Sequence, residues 1–361
     1  MTDQALPTAE LLQAVLAAQP GPWGAGARVL SVRDLSPGFG QAVVLRVEVA
    51  TPQGGASPWI VKVPGWGGPS LLDSQDTQLA FREAQFLGGE LPGRLPRGLA
   101  TPPDATVLRH DGRQWIVMRD IGALLNRPWT PAAATTAARS VALLHLPATL
   151  DPALLDTPWL ERSGHAAYRH HVPAAHDNLD ALAGHPLLAD LFTDRQVRAL
   201  HLCLDAAPKL AAQADELPAT LVHGDHHPRN AGLDRDGTLV LIDWEHVGIG
   251  PVGFDLATFV ALYRAFGGQG DLDEAALLAA YGQALSDLAG TDLRRPAALG
   301  FALAHLTWAL HLRLGPGLSA VRQGFHGDTP QAWAPHLDDI RAGSRRALAW
   351  AEAAGLGPLE T

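Results

Sequence analysis

Two apolar runs set around one polar loop constrain this chain more than any other feature. Leu221-Val-His-Gly-Asp-His-His-Pro-Arg-Asn230 is followed by Leu239-Val-Leu-Ile-Asp-Trp-Glu245, with Asp234-Arg-Asp-Gly237 between them. Short aliphatic runs bounded by Gly, Asp and Asn read as strands, and Asp-Gly is a hairpin-turn dipeptide. The pattern predicts a hairpin in which the strand from Leu239 folds back beside the one that ends at Val222. That arrangement delivers Asp225, Asn230 and Asp243 to one place. Two carboxylates and an amide offer hard oxygen ligands. They suit Mg²⁺, which usually takes one or two protein carboxylates together with waters or phosphate oxygens. A carboxylate left off the metal is then available as a base. A lone Asp in a turn is ordinarily a cap, but capping does not explain three polar groups each placed beside an apolar strand.

The order Asp, four residues, Asn, then Asp at the end of the next strand matches the metal-binding and catalytic positions of kinase-type phosphoryl transfer. His223-Gly-Asp225-His-His-Pro-Arg-Asn230 with Ile242-Asp243-Trp-Glu245 resembles the aminoglycoside phosphotransferase and choline kinase-like family, whose hallmark is H-G-D-x-x-x-x-N followed by a hydrophobic-Asp-Trp/Phe step. The resemblance implies an α+β, bilobal, protein-kinase-like fold with a mostly β N-terminal lobe carrying one key helix and a mostly α C-terminal lobe. It implies ATP and Mg²⁺ as cofactors, and transfer of the γ-phosphate to a hydroxyl of a small molecule that is aminoglycoside-like, an amino alcohol, a sugar or a related metabolite. In that scheme Asp225 is catalytic, Asn230 and Asp243 hold the metal, and His223 supports the loop. Gly250-Pro-Val-Gly-Phe-Asp255-Leu-Ala resembles the segment in which an aspartate opens a helix and bonds back to the catalytic loop, so Asp255 is expected to be a brace. Arg229 stands where many relatives carry a small residue, a departure from the pattern.

A kinase-like reading requires a phosphate-binding lysine and its carboxylate partner upstream. Pro58-Trp-Ile-Val-Lys62-Val-Pro64 is a short strand with a lysine inside it, and Asp76-Thr-Gln-Leu-Ala-Phe-Arg-Glu83-Ala-Gln-Phe-Leu87 reads as a helix opened by an Asp cap. The chain holds only two lysines, Lys62 and Lys209, among its 27 basic residues. A chain so biased toward arginine would use arginine where charge alone sufficed, whereas a compact ammonium fits a slot between phosphates that a planar guanidinium does not. Gly38 and Gly40 open the preceding strand, where backbone amides can approach phosphate. Trp115-Ile-Val-Met118 reads as a last strand that runs into a connector, and in the resemblance Met118, Asp120 and Ile121 form the edge that meets adenine.

The expected organisation is an N-terminal lobe over 1–118, opened by an amphipathic helix from Thr8, a hinge over 119–123, and a helical lobe over 124–361. Within the last, 147–218 is insertion-like and rich in His and aromatic residues, among them Trp159, His165, Tyr168, His170, His171 and His176. Those histidines match no zinc spacing, and solvent-facing or substrate-lining roles are expected instead. Trp159, Tyr168 and Trp308 are candidate stacking surfaces for an acceptor. A net charge of −10 argues against nonspecific nucleic-acid binding. One cysteine, Cys203, and an N-terminus with neither a basic start nor an apolar core favour the cytoplasm. Ala297 to Leu312 is apolar but interrupted by His305 and His311, so it reads as a buried helix and no membrane role is implied. Two other classes compete: a metal-dependent hydrolase built on His223, Asp225, His226 and His227, and a catalytically silent kinase-like nucleotide-binding module.

Overall fold

Strict alternation builds the first sheet. In Val43–Ala50, Val43, Leu45, Val47 and Val49 are buried and their neighbours are half-exposed, the period-two signature of a strand with one face on a core. The computed structural model describes residues 6–19, 21–36, 42–50, 54–66, 79–146, 157–162, 168–324 and 330–356. Strands β1 (Arg28–Asp34), β2 (Val43–Ala50), β3 (Ala56–Val63), β5 (Thr106–His110) and β6 (Arg113–Arg119) form an antiparallel sheet in the order β1-β2-β3-β6-β5. The helix Ala9–Ala18, whose first turn is capped by the Thr8 hydroxyl, places Leu12, Val15 and Leu16 in one core with Trp23, Trp59 and the inward face of this sheet. Full burial of such side chains stabilises by about 1.5–3 kcal/mol each. The helix Leu79–Leu87 belongs to the same unit, while the expected cap Asp76 lies outside the described residues.

The hairpin signalled by Asp234–Gly237 forms, but with a different first arm. Strand β8 (Ala231–Leu233) pairs with β9 (Leu239–Leu241), and β9 also runs parallel to the short β4 (Leu99–Ala100). The turn explains the choice. Asp234 Oδ1 accepts from the amides of Asp236 and Thr238 at 2.8 and 2.9 Å, and Gly237 takes φ 81°, so the chain reverses tightly and pairs only its immediate flanks. The strand ending at Val222, β7 (Ala219–Val222), pairs instead with β10 (Gly248–Pro251).

The chain divides into two compact units, each assembled from separated segments. One comprises Met1–Arg127, Pro158–Leu160 and Asn230–Val247; the other comprises Pro128–Thr157, Glu161–Arg229 and Gly248–Thr361. The β4–β9 pairing and the packing of the helix Leu79–Leu87 on Trp244 and Glu245 draw residues 230–247 into the first unit.

The second unit is mainly helical. Its helix Pro131–Leu144 starts with a Thr130 side-chain cap and proline at its first turn, and Asp194–Asp205 starts with a reciprocal Thr193–Gln196 capping box. Arg294–Arg322 is longer than the sequence suggested: 29 residues, long and apolar enough to cross a membrane by length and composition, yet mostly buried inside this unit. His305 and His311 are buried in it, and burial pushes His305 well below the usual imidazole range. Backbone approach is close where it meets the 252–253 turn. A Cβ on Gly300 would stand 1.9 Å from the Val252 carbonyl oxygen, and one on Gly253, where φ is 90°, would stand 2.5 Å from that of Ala297. Only glycine fits at these two positions.

Candidate active site

In the first unit, four side chains from three separate elements meet around one ammonium. Lys62 projects from β3, and its side chain is only 9% exposed. Its Nζ lies 2.6 Å from Glu83 Oε2, contacts Asp243 Oδ1, and lies 3.2 Å from Glu245 Oε2. Burial alone would lower the lysine pKa, but the three carboxylates, Asp243 foremost, raise it well above its ordinary value, so Lys62 stays charged. Burial pushes the Glu83 carboxyl up; Lys62 opposes this and the charges of Asp243 and Glu245 reinforce it. Three carboxylates face a single cation, an imbalance that raises Lys62 and adds to the effect of burial on Glu83.

The backbone that presents Asp243 is held in a demanding conformation. Asp243 lies in the left-handed region at φ 65°, ψ 60°, where a non-glycine residue costs on the order of 1–3 kcal/mol and persists only if its surroundings impose it. The imposing contacts come from the helix Leu79–Leu87. Glu83 Oε1 accepts from the Trp244 amide at 3.3 Å, Phe86 stacks on the Trp244 indole at 4.2 Å between centroids, and Arg82 donates to the Glu245 carbonyl at 2.6 Å and the Trp159 carbonyl at 2.8 Å. Asn230, buried at the start of the hairpin, accepts from the Ile242 amide through its carbonyl at 2.9 Å.

In the second unit the 223–229 loop is organised around Asp255. That carboxylate is fully buried and accepts from the amides of His223 and Gly224 at 2.7 and 2.9 Å, with His145 Nε2 3.0 Å away. His145 Nδ1 in turn meets the Tyr281 hydroxyl at 2.6 Å, and Tyr281 Oη accepts from the Gly253 amide. Burial would raise the Asp255 carboxyl, but the hydrogen bond and charge of His145, with His226 and His223, hold it down at about 2. Trp129 fixes the other end of the loop by donating to the Pro228 carbonyl at 2.9 Å. Asp225 is about a quarter exposed, with His227 Nε2 3.3 Å from Oδ2. Arg229 places its guanidinium 4.7 Å above the Phe266 ring, a cation–π contact.

The other residues singled out in the sequence have these surroundings. Gly38 and Gly40 lie outside the described residues. Met118 is buried in β6, paired with Ile60. Asp120 is committed locally: Oδ1 accepts from the Gly122 amide at 2.7 Å and Oδ2 pairs with Arg46 at 2.5 Å, while the Ile121 carbonyl accepts from Leu124 and Leu125. Trp308 is a core side chain, packed edge-on to Phe254. The transition-metal hydrolase arrangement is not formed, because His226 is buried flat against Phe259 with Nδ1 toward the Asp255 carbonyl, and burial lowers its pKa to about 4. Among the described residues no group of three or more His, Cys, Asp or Glu side chains is arranged to hold a metal ion. Reading the sequence missed Arg82 and the role of His145. The first had a signal in its adjacency to Glu83; the second had none, since its partners lie over a hundred residues away.

The model of the phosphotransferase enzyme family known as APH matches residues 31–299, most of the chain. Solved structures agree in fold. Spectinomycin phosphotransferase in complex with ADP and spectinomycin is 12% identical, covering 96% of this chain and 99% of that one at a TM-score of 0.54. Amicoumacin kinase in complex with AMP-PNP, Ca²⁺ and Ami is 11% identical, covering 93% and 92% at 0.54. Choline kinase from Cryptosporidium parvum Iowa II is 10% identical, covering 90% and 92% at 0.50. No curated protein matches the sequence. At these identities the structural likeness establishes an α+β, protein-kinase-like fold.

Proposed function

The chain belongs to the phosphotransferase enzyme family, and from that premise we propose that it moves the γ-phosphate of ATP, with Mg²⁺, to a hydroxyl of a small molecule. One observation carries the proposal: Lys62 and Asp243, 181 residues apart, are brought into direct ionic contact with Glu83 alongside. A lysine on the central strand of the sheet and an acid 181 residues away have no need of each other to complete that sheet, but phosphoryl transfer needs both.

The donor set fits the implied cation. Asp243 and Glu245 offer carboxylates, Asn230 an amide, and the carboxylates outnumber the one ammonium they surround. All are oxygen donors, as a hard divalent ion requires. Bound there, Mg²⁺ would supply charge neutralisation on the phosphate oxygens. Asn230 and Asp243 would hold it, Lys62 would neutralise the nucleotide phosphates, and Glu83 would keep Lys62 in place. Asp225 would accept or orient the proton of the acceptor hydroxyl, on a loop whose backbone Asp255 already fixes. Positioning and electrostatics carry such a reaction, because the protein performs little covalent chemistry of its own. Solved proteins of the same fold are named for spectinomycin, amicoumacin and choline, which supports a hydroxylated small molecule as acceptor.

An ATP-consumption screen over aminoglycosides, amino alcohols, sugars and hydroxy amino acids, run with and without Mg²⁺, tests the reading. One or more small alcohols should be turned over, and Asp225→Asn should lower that rate by about 10²–10⁴ while nucleotide binding is retained. Turnover confined to protein or nucleic-acid acceptors, or near wild-type rates in Asp225→Asn, would overturn it.

A further inference from the structure

A second constellation uses none of the groups assigned to phosphotransfer. On the helices Val172–Asp180 and Asp194–Asp205, His176 and His201 meet edge to edge, with centroids 4.9 Å apart, planes 15° from parallel and their Nδ1 atoms facing each other at 2.7 Å. Each ring's other nitrogen meets a carboxylate of the opposite helix: His176 Nε2 lies 3.3 Å from Asp205 Oδ1, and His201 Nε2 lies 3.2 Å from Asp180 Oδ1. The sequence repeats the device, because on each helix the Asp follows the His by four positions and so shares its face. A spacing scan of the 165–176 histidines could not find this, since His176 takes its partner from another helix.

The protonation states make the arrangement informative. A carboxylate beside Nε2 accepts a hydrogen bond from it, which favours the tautomer with its hydrogen on Nε2 and its lone pair on Nδ1. Two lone pairs aimed at each other across 2.7 Å repel unless a cation lies between them. A shared proton contributes one positive charge against two carboxylates; a divalent ion balances both. Imidazoles oriented by carboxylates on their far nitrogens are also the usual setting of histidine metal ligands. Two nitrogens about 2.0 Å from a tetrahedral ion stand roughly 3.3 Å apart, so the rings must separate by about 0.6 Å and tilt until both lone pairs converge on one point. Both imidazoles are about a quarter exposed, which leaves room for water to complete the shell.

We propose that His176 and His201 form a site for a divalent first-row transition-metal ion of the Zn²⁺ class, bound through both Nδ1 atoms, with Asp180 and Asp205 orienting the rings and water filling the remaining positions. Imidazole ligation selects such ions over Mg²⁺. With two protein ligands the affinity is modest, and the ion clips the two helices together.

The test uses the full chain stripped by a chelator and titrated with Zn²⁺ in a calorimeter, with millimolar Mg²⁺ present as the hard-cation control. One Zn²⁺ should bind, and at about 100 times its Kd it should raise the melting temperature by roughly 3–6 °C. His176→Gln and His201→Gln should each weaken binding by more than tenfold. Asp205→Asn, at an exposed carboxylate that cannot compromise folding, should weaken it by about tenfold. Co²⁺ should give the visible bands of an imidazole-bound ion that either His variant removes. Binding that survives in both His variants would belong to the carboxylates around Lys62 and overturn the proposal. Absence of Zn²⁺ binding below the millimolar range would likewise overturn it, leaving the pair as a proton-sharing hydrogen bond.

Discussion

The clusters around Lys62 and around Asp255 are electrostatic opposites. In the first unit one buried cation is ringed by Glu83, Asp243 and Glu245; in the second, one buried anion is ringed by donors from His223, Gly224 and His145. Their balance differs more than their burial. The Asp255 carboxylate is satisfied on both oxygens, its pKa is driven down to about 2, and its surroundings ask for nothing further. The Lys62 cluster carries a surplus of carboxylate, and its most buried acid, Glu83, has its pKa pushed up. A closed cluster is suited to bracing a loop. An open one suits the cation and phosphates of the proposed reaction, and its carboxylates repel one another while no further cation is present.

The sharpest way to break this contrast is to remove each anion in turn. Asp255→Ala leaves two buried amides and an imidazole without their acceptor, and should destabilise the second unit by about 3–5 kcal/mol in urea unfolding. A loss under 1 kcal/mol would mean that the brace is not closed. Acid should produce the next largest effect. His226 is buried neutral, with its folded pKa near 4 against an ordinary 6.5, so the unfolded chain takes up the proton first as pH falls. Stability from this group is complete above about 6.5 and is lost progressively toward 4, by roughly 3 kcal/mol in all. Asp255, lowered from 3.8 to about 2, adds a further loss below about pH 4, because its carboxylate is protonated more readily in the unfolded chain. Urea midpoints measured from pH 7.5 to 4 check the slope, which should flatten in His226→Gln. The smallest change should come from Glu245→Gln in the open cluster. Its side chain is a third exposed and one of three competing carboxylates, so stability should move by less than about 1 kcal/mol in either direction. The same variant should alter the Mg²⁺ concentration needed for nucleotide binding. A stability loss of several kcal/mol with unchanged Mg²⁺ dependence would place Glu245 among the braces.

What could be read from the chain was what short-range chemistry determines. Lys62 inside a β-branched run and Glu83 inside a helical one were visible because each element announces itself within ten residues, and Asp225, Asn230 and Asp243 were visible as a spacing. The Asp234–Gly237 turn was legible as a turn, yet the partner of β9 was misjudged, because choosing between Leu221-Val222 and Ala231–Leu233 depends on the long-range pairings of β4 with β9 and of β7 with β10. His145 carried no local mark of its tie to Asp255, 110 residues on. Nor did His176 of its tie to His201, since both depend on which helix faces which. Asp120 was singled out by its position at the end of β6, and nothing local marked the ties of its two oxygens to Arg46 and Gly122.

The helix Leu79–Leu87 grips residues 244 and 245 through Arg82, Glu83 and Phe86, and every one of those contacts is made by the protein alone. The left-handed turn at Asp243 is therefore an expense of folding rather than of binding. Immobilising a carboxylate and its backbone at the moment of encounter would subtract from affinity. Here that loss of freedom has already occurred, so an arriving ligand meets a preorganised carboxylate and its own ordering is the larger part of what remains.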